Sequence, residues 1–298
     1  MRPIKIMTDS CADLNSAQLE KYGIVYAKMS TVCDGIESPA LLTWSDGEAH
    51  GHYERMREGK RITTSQVSME EFREAFSYEI DAGFDVVYIG CSSKSSGSVH
   101  TGEIVARDLL AEHPEARIVC IDSLNASIGE GMLAIEAAKM AADGASLDLI
   151  AESILSMRKK VNQYVTVHSL DALRRSGRIN SSTAFFGNLL GVKPIIIADV
   201  NGDQAAYRKA RGRRKSFEEI VALLKESIVS PEEQTVYLTH ADCAPEEVDQ
   251  LVSLIRREIP CRDIEIGFIG PIIGASIGPD AIGIWAFGRE VTYRVAEA

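Results

Sequence analysis

A chain of 298 residues is long enough for two ordinary domains, or one large one, with buried cores. Apolar residues at 45% and charged residues at 25% lie near the globular average, which excludes a disordered or fibrous chain. The formal net charge of −11 repels nucleic acid unless a local basic stripe overrides it, and no stretch approaches the ~20 apolar residues of a membrane span.

Short apolar runs alternate with amphipathic helical patterns. Ile4 to Met7 reads as a strand ending in Thr8-Asp9-Ser10, and Asn15 with Gln18 three residues on reads as a helix start. Ile24 to Met29 is a second strand. Ser68 and Glu71 form a capping-box pattern, with Phe72, Ala75 and Phe76 at helical spacing behind it. Val86 to Ile89 is a strand, followed by a serine-rich loop and a helix running to about Glu112. Ile118 to Ile121 is another strand, ending in Asp122-Ser123, and Ile128, Met132 and Ile135 mark the next helix. This rhythm predicts a mostly parallel sheet with helices on its faces.

A second unit is expected to begin near residue 160. Its strands are Tyr164 to Val167, Pro194 to Ala198, Gln234 to Leu238 and a last run around Ile282 to Phe287, and Pro245-Glu246-Glu247 makes a good first helical turn. Strands cluster late, so a mixed sheet is expected. The predicted fold is therefore α/β, with two α/β domains over 1–160 and 161–298. The six cysteines (Cys11, Cys33, Cys91, Cys120, Cys243 and Cys261) form no C-x-x-C pair, and no leader pattern precedes the first strand. A reducing, cytoplasmic compartment is the expectation.

Several segments carry chemical potential. Ser92-Ser93-Lys94-Ser95-Ser96-Gly97-Ser98 joins a strand to a helix, at the sheet edge where parallel α/β folds bind ligands. It reads either as a capped Ser/Gly turn or as an anion site built from hydroxyls, free backbone N–H groups and the close approach that Gly97 allows. Thr63-Thr64-Ser65-Gln66 reads as a polar loop leading into a helix, or as a further set of donors. Six of the eight residues from Arg208 to Lys215 are cationic, and Arg174, Arg175 and Arg178 form a smaller cluster. Each is a solvated face or a site for a phosphate, a carboxylate or an acidic protein surface.

Gly274-Ala275-Ser276-Ile277-Gly278 matches the G-x-S-x-G of hydrolases. A nucleophile elbow must lead into a helix, however, whereas Pro279 and a strand-like run follow here, and no histidine follows the serine. The segment reads as a glycine-rich turn. His50 and His52 read as loop residues, and His168 and His240 each follow an apolar strand. No nucleotide-binding loop is present, so no cofactor is expected.

Taken in order, Thr8-Asp9-Ser10-Cys11-Ala12-Asp13-Leu14, Thr64-Ser65-Gln66, the serine-rich loop, Asp122-Ser123, Leu173-Arg174-Arg175-Ser176-Gly177-Arg178-Ile179 and Leu189-Leu190-Gly191-Val192-Lys193-Pro194 resemble the motifs of the DegV family of lipid-binding proteins. Each motif is loose alone; their order and spacing carry the resemblance over nearly the whole chain. The resemblance implies a long-chain fatty acid in a cleft between the two domains, its carboxylate held by Thr64 and Ser96. It further implies help from an arginine of the basic run, best matched by Arg211, and from the late glycine-rich turn, where Ser276 can donate a hydrogen bond; Gly97 lets the ligand approach the backbone. It also implies, from the better-studied branch, a separate kinase that phosphorylates the presented carboxylate.

This chain departs from the family pattern at Ser95 (usually apolar), Ser98 (threonine), Ser176 (glycine), Ser276 (histidine) and Asp280 (glycine). Two other readings stay open. One is an enzyme on a small anionic substrate that uses Asp9, Asp122 or His240. The other is an interaction module docked through residues 208–215.

Overall fold

The computed structural model describes residues 2–179 and 191–295. The Leu189-Leu190 pair of the resemblance lies outside them. Three sheets organise the chain. The first is fully parallel in the order β2-β1-β6-β7, built from β1 (Ile4–Asp9), β2 (Val25–Ala27), β6 (Asp85–Gly90) and β7 (Ile118–Asp122). All six residues of β6 are buried, as a central parallel strand covered on both faces requires. Helix α1 (Ser16–Tyr22) opens with the predicted capping box on Asn15 and closes on Gly23 in the left-handed region.

At α3 (Met69–Asp81) only half of the expected capping box forms. Ser68 accepts from Glu71 N, but the Glu71 carboxylate accepts from Lys28 N at 2.9 Å. There it satisfies a backbone donor at the end of β2.

The second sheet is a difference from the expected layout. β3 (Ser30–Cys33), β4 (Ile36–Pro39) and β5 (Ile62–Ser65) form an antiparallel sheet in the order β4-β3-β5. Its hairpin turns on Asp34-Gly35, both with positive φ, as a tight two-residue turn demands. Thr63 and Thr64 therefore sit on a strand, not in a loop, and Thr64 pairs with Thr31.

His50 and His52 also lie outside any loop. They belong to α2 (Asp46–Arg57), which starts at a full Ser45/Glu48 capping box. Two glycines and few apolar residues hid this helix from a periodicity reading.

The third sheet is mixed, in the order β10-β9-β8-β13-β11-β12, and uses only residues after 160. Its strands are β8 (Val161–Thr166), β9 (Val192–Ala198), β10 (Gln204–Arg211), β11 (Thr235–His240), β12 (Asp263–Phe268) and β13 (Ile282–Phe287). Only β11 and β12 run parallel, joined by the crossover helix α9 (Pro245–Glu258). The segment expected to be a glycine-rich turn is mostly helix. α10 (Pro271–Ile277) begins on Pro271 at its first turn, buries Ile272 and Ile277, and stops at Gly278 (φ 87°).

The parallel and mixed sheets share one apolar cluster. Helix α5 (Ile128–Ala142) has ten buried residues, too many for a surface helix, because it is enclosed between the parallel and mixed sheets. Ile6, Leu14, Met132, Leu133, Val165 and Trp285 belong to the same apolar cluster. Among the described residues the remaining α-helices are α4 (Ser98–Glu112), α6 (Leu147–Met157), α7 (Asp171–Ser176) and α8 (Arg213–Ser227). Among the described residues no helix is long and apolar enough to cross a membrane.

Candidate ligand-binding site between the sheets

The motif loops converge at the C-terminal edge of the parallel sheet. Asp9, fully buried at the end of β1, accepts from Cys11 N at 2.8 Å, Tyr88 Oη at 2.7 Å and Cys91 N at 3.2 Å. It locks the loops after β1 and β6 together. Ser10 Oγ donates to Ala40 O at 2.7 Å and accepts from Met29 N at 3.0 Å. Asp13 reaches the other half of the chain, accepting from Gly270 N at 2.8 Å and from Ser127 Oγ. Burial pushes its carboxyl up to about 7. Asp122 accepts from Leu124 N at 2.8 Å, and His240 Nδ1 accepts from Cys243 N at 3.3 Å while its ring packs on Phe268. Asp9, Asp122 and His240 thus tie loops, and none lines the cavity described next.

That cavity measures about 570 Å³ and is walled by both halves of the chain. β5 supplies Thr64, the serine-rich loop Ser93 to Gly97, α10 Ile272, Ile273, Ser276 and Ile277, and the mixed sheet Gln163, Ile196 and Gln204. Cys11, Met29, Cys91 and Ala126 complete the parallel-sheet side. The serine-rich loop is a turn closed by Ser95 N and Ser96 N donating to Ser92 O. Ser96 Oγ accepts from Ser98 N at 3.2 Å and lies 2.9 Å from Ser98 Oγ, so it satisfies the N–H of the first residue of α4. Gly97 lies against Gln66, whose Oε1 a Cβ would overlap; Gln66 Nε2 donates to Thr101 Oγ1 at 2.7 Å.

A second hollow of about 430 Å³ adjoins the first and shares Thr64, Arg178 and Ser276 with it. Lys60, Arg61 and Arg175 line its walls, so the shared rim carries a concentration of positive charge in an acidic protein. Arg178 follows α7 beyond Gly177 and donates from Nε to Ser95 O at 3.4 Å, across to the serine-rich loop.

The structure thus brings Thr64, Ser96, Gly97 and Ser276 to one cavity. It does not bring Arg211 there: that residue ends β10, is exposed, and is not among the lining residues. The rim cation is Arg178, present in the smaller cluster of the sequence but not singled out. Much of the basic run is ion-paired, with Arg208 on Glu219 at 2.6 Å, Arg213 on Glu247 at 2.9 Å and Arg214 on Glu218 at 3.1 Å. Asp280 is not among the residues lining the cavity and pairs with Arg57 at 2.7 Å. The apolar wall, Met29, Ile196, Ile272 and Ile273, had no sequence signal, since core and cavity residues share one periodicity.

Among the described residues two clusters have ligand-type side chains close together. His50, Glu54 and Asp242 converge on the surface, but Arg57 already pairs with both carboxylates at 2.7 Å. Cys11, Cys91 and Glu130 converge in the interior, with ligand atoms within 4.8 Å of one another.

The model of the DegV family, described as "uncharacterised protein, DegV family", matches residues 3–289. A DegV domain-containing protein of Clostridium perfringens is 35% identical over 97% of this chain and 98% of its own length. A structure described as fatty acid binding of a DegV family protein from Thermus thermophilus superposes with a TM-score of 0.86 at 25% identity, covering 97% of this chain and all of that one. DegV of Bacillus subtilis, described as a fatty acid binding protein, gives 0.83 at 26%, covering 96% and 100%. The chain belongs to the DegV family.

Proposed function

We propose that this protein binds a long-chain fatty acid in the 570 Å³ cavity, with the carboxylate on the hydroxyls of Thr64 and Ser96. The observation that carries this reading is a cavity that shares Thr64, Ser276 and Arg178 with the basic hollow and has Met29, Ile196, Ile272 and Ile273 in its wall, in a family whose solved members include fatty acid binders. The acyl chain supplies most of the affinity, at about 0.8 kcal/mol per buried CH₂ before ordering costs. Gly97 and Ser276 complete the head-group pocket. Arg178 takes the rim role for which the resemblance named Arg211, since a guanidinium there screens carboxylate charge.

In this reading the protein is a non-enzymatic carrier of two α/β domains, 1–160 and 161–298, held in the reducing cytoplasm. It presents its fatty acid to a separate kinase. The basic hollow beside the carboxylate supports that role, because an incoming phosphoryl group is anionic. The test is the Thr64→Val/Ser96→Ala double variant, with bound lipid counted by native mass spectrometry. Occupancy is expected to fall at least tenfold with the far-UV circular dichroism unchanged. Full occupancy in a folded double variant would overturn the site.

A further inference from the structure

The interior cluster of Cys11, Cys91 and Glu130 goes beyond lipid binding and does not depend on it. We propose that these three side chains form a binding site for a soft metal ion, Zn(II) or Cu(I), in the wall of the cavity. Cys11 and Cys91 lie just past the ends of the adjacent parallel strands β1 and β6, so strand spacing alone brings their side chains together. Asp9 holds the backbone N–H of both and fixes where each thiol points. Outer partners of this kind orient ligands in built metal sites. Glu130 comes from the opposite side, on α5.

Glu130 supplies the independent pointer to a ligand. It is fully buried, and one carboxyl oxygen accepts from Thr8 Oγ1 at 2.7 Å. The other, Oε2, has no hydrogen-bond partner. A buried polar atom left so destabilises the fold, and such atoms call for a missing partner.

The spacing suits an ion. Three atoms within 4.8 Å of one another leave a point no more than about 2.8 Å from each, and separations of about 4.0 Å give the ~2.3 Å of a Zn–S bond. A third soft donor is at hand, since Met29 Sδ lies 3.4 Å from Cys11 Sγ. Two thiolates with a thioether select Zn(II) or Cu(I) over magnesium or calcium. Cys11, Cys91 and Met29 all face the cavity, which gives the ion its way in. On binding, the two thiol protons and the Glu130 carboxyl proton leave to solvent, and three bonds to the metal form.

The experiment uses the full chain in a Cys33→Ser/Cys261→Ser background, which removes two more accessible thiols, under a non-thiol reductant. Zn²⁺ and Cu(I) are offered separately by equilibrium dialysis and counted by elemental analysis. Co²⁺ then reports thiolate ligation through its sulfur charge-transfer absorption. The expected result is one ion per chain with a thiolate–cobalt band, and at least a tenfold weaker affinity in Cys91→Ser and in Glu130→Gln. Which of Zn²⁺ and Cu(I) is retained decides the metal. Substoichiometric uptake of both, no thiolate band, or undiminished affinity in a folded Cys91→Ser variant would overturn the site. The cobalt readout on the background protein stands even where a variant fails to fold.

Discussion

Gly97 shows how closely the serine-rich loop is fitted to its neighbours. A Cβ there would overlap Gln66 Oε1, the far end of a side chain that can move. Gly97→Ala is therefore expected to cost little stability, about 1 kcal/mol, while pushing Gln66 off Thr101 and into the cavity it lines. Lipid occupancy, read by mass spectrometry, should fall several-fold with the unfolding midpoint nearly kept. Unchanged occupancy would mean that the loop does not shape the head-group pocket.

His52 gives a second prediction at this scale. Its ring packs edge-on against Trp44 and Tyr53, and its Nε2 has no partner. Burial, with the nearby charge of Arg55, pushes its pKa down to about 4. Below an unfolded value of about 6.5 the unfolded chain binds the proton more readily. This contribution is thus fully present at pH above about 6.5 and is lost as pH falls towards 4. It amounts to about 3 kcal/mol between about pH 7.5 and pH 4. Urea unfolding across that range should show His52→Phe with a flatter acid limb than wild type; parallel curves would contradict the assignment.

Among the elements, α2 depends on its start. Its composition gives little helical drive, and the reciprocal Ser45/Glu48 box supplies what the apolar pattern lacks. Ser45→Ala is expected to cost about 1 kcal/mol, measured as a shift of the denaturant midpoint. A null effect would mean that packing of Tyr53 alone holds the helix. The legibility of elements followed the same physics. Asn15/Gln18 and Pro245 were readable because caps are local. Asp34-Gly35 was an equally local hairpin signal, hidden by flanking strands of only four residues with polar faces. β10 and α8 were read as one charge run because lysine and arginine side chains mask the periodicity of the Ala205, Ala206 and Phe217 positions buried beneath them. α10 was hidden by its two glycines at 274 and 278, only the second of which ends it.

At the scale of the whole molecule, the site exists because two sheets of different parentage meet over α5. Asp13 stitches the first motif loop to Gly270 just ahead of α10, which places Ser276 near Thr64 of β5. The hydroxyls were legible in the sequence because Thr64, Ser96 and Ser276 fall in segments with motif spacing. The cavity's depth, its apolar wall and the rim position of Arg178 were not, since they arise where segments about a hundred residues apart pack together. The Arg178 contact with Ser95 is of that kind. Such contacts depend on tertiary packing and leave no periodic mark.

The central claim is that this space holds a fatty acid. The most direct test is native mass spectrometry of the full chain purified from a bacterial host, followed by analysis of the organic extract. One fatty acid per chain is expected, released on denaturation and rebound on adding oleate to stripped protein. A clean apoprotein that also refuses added fatty acid would contradict it.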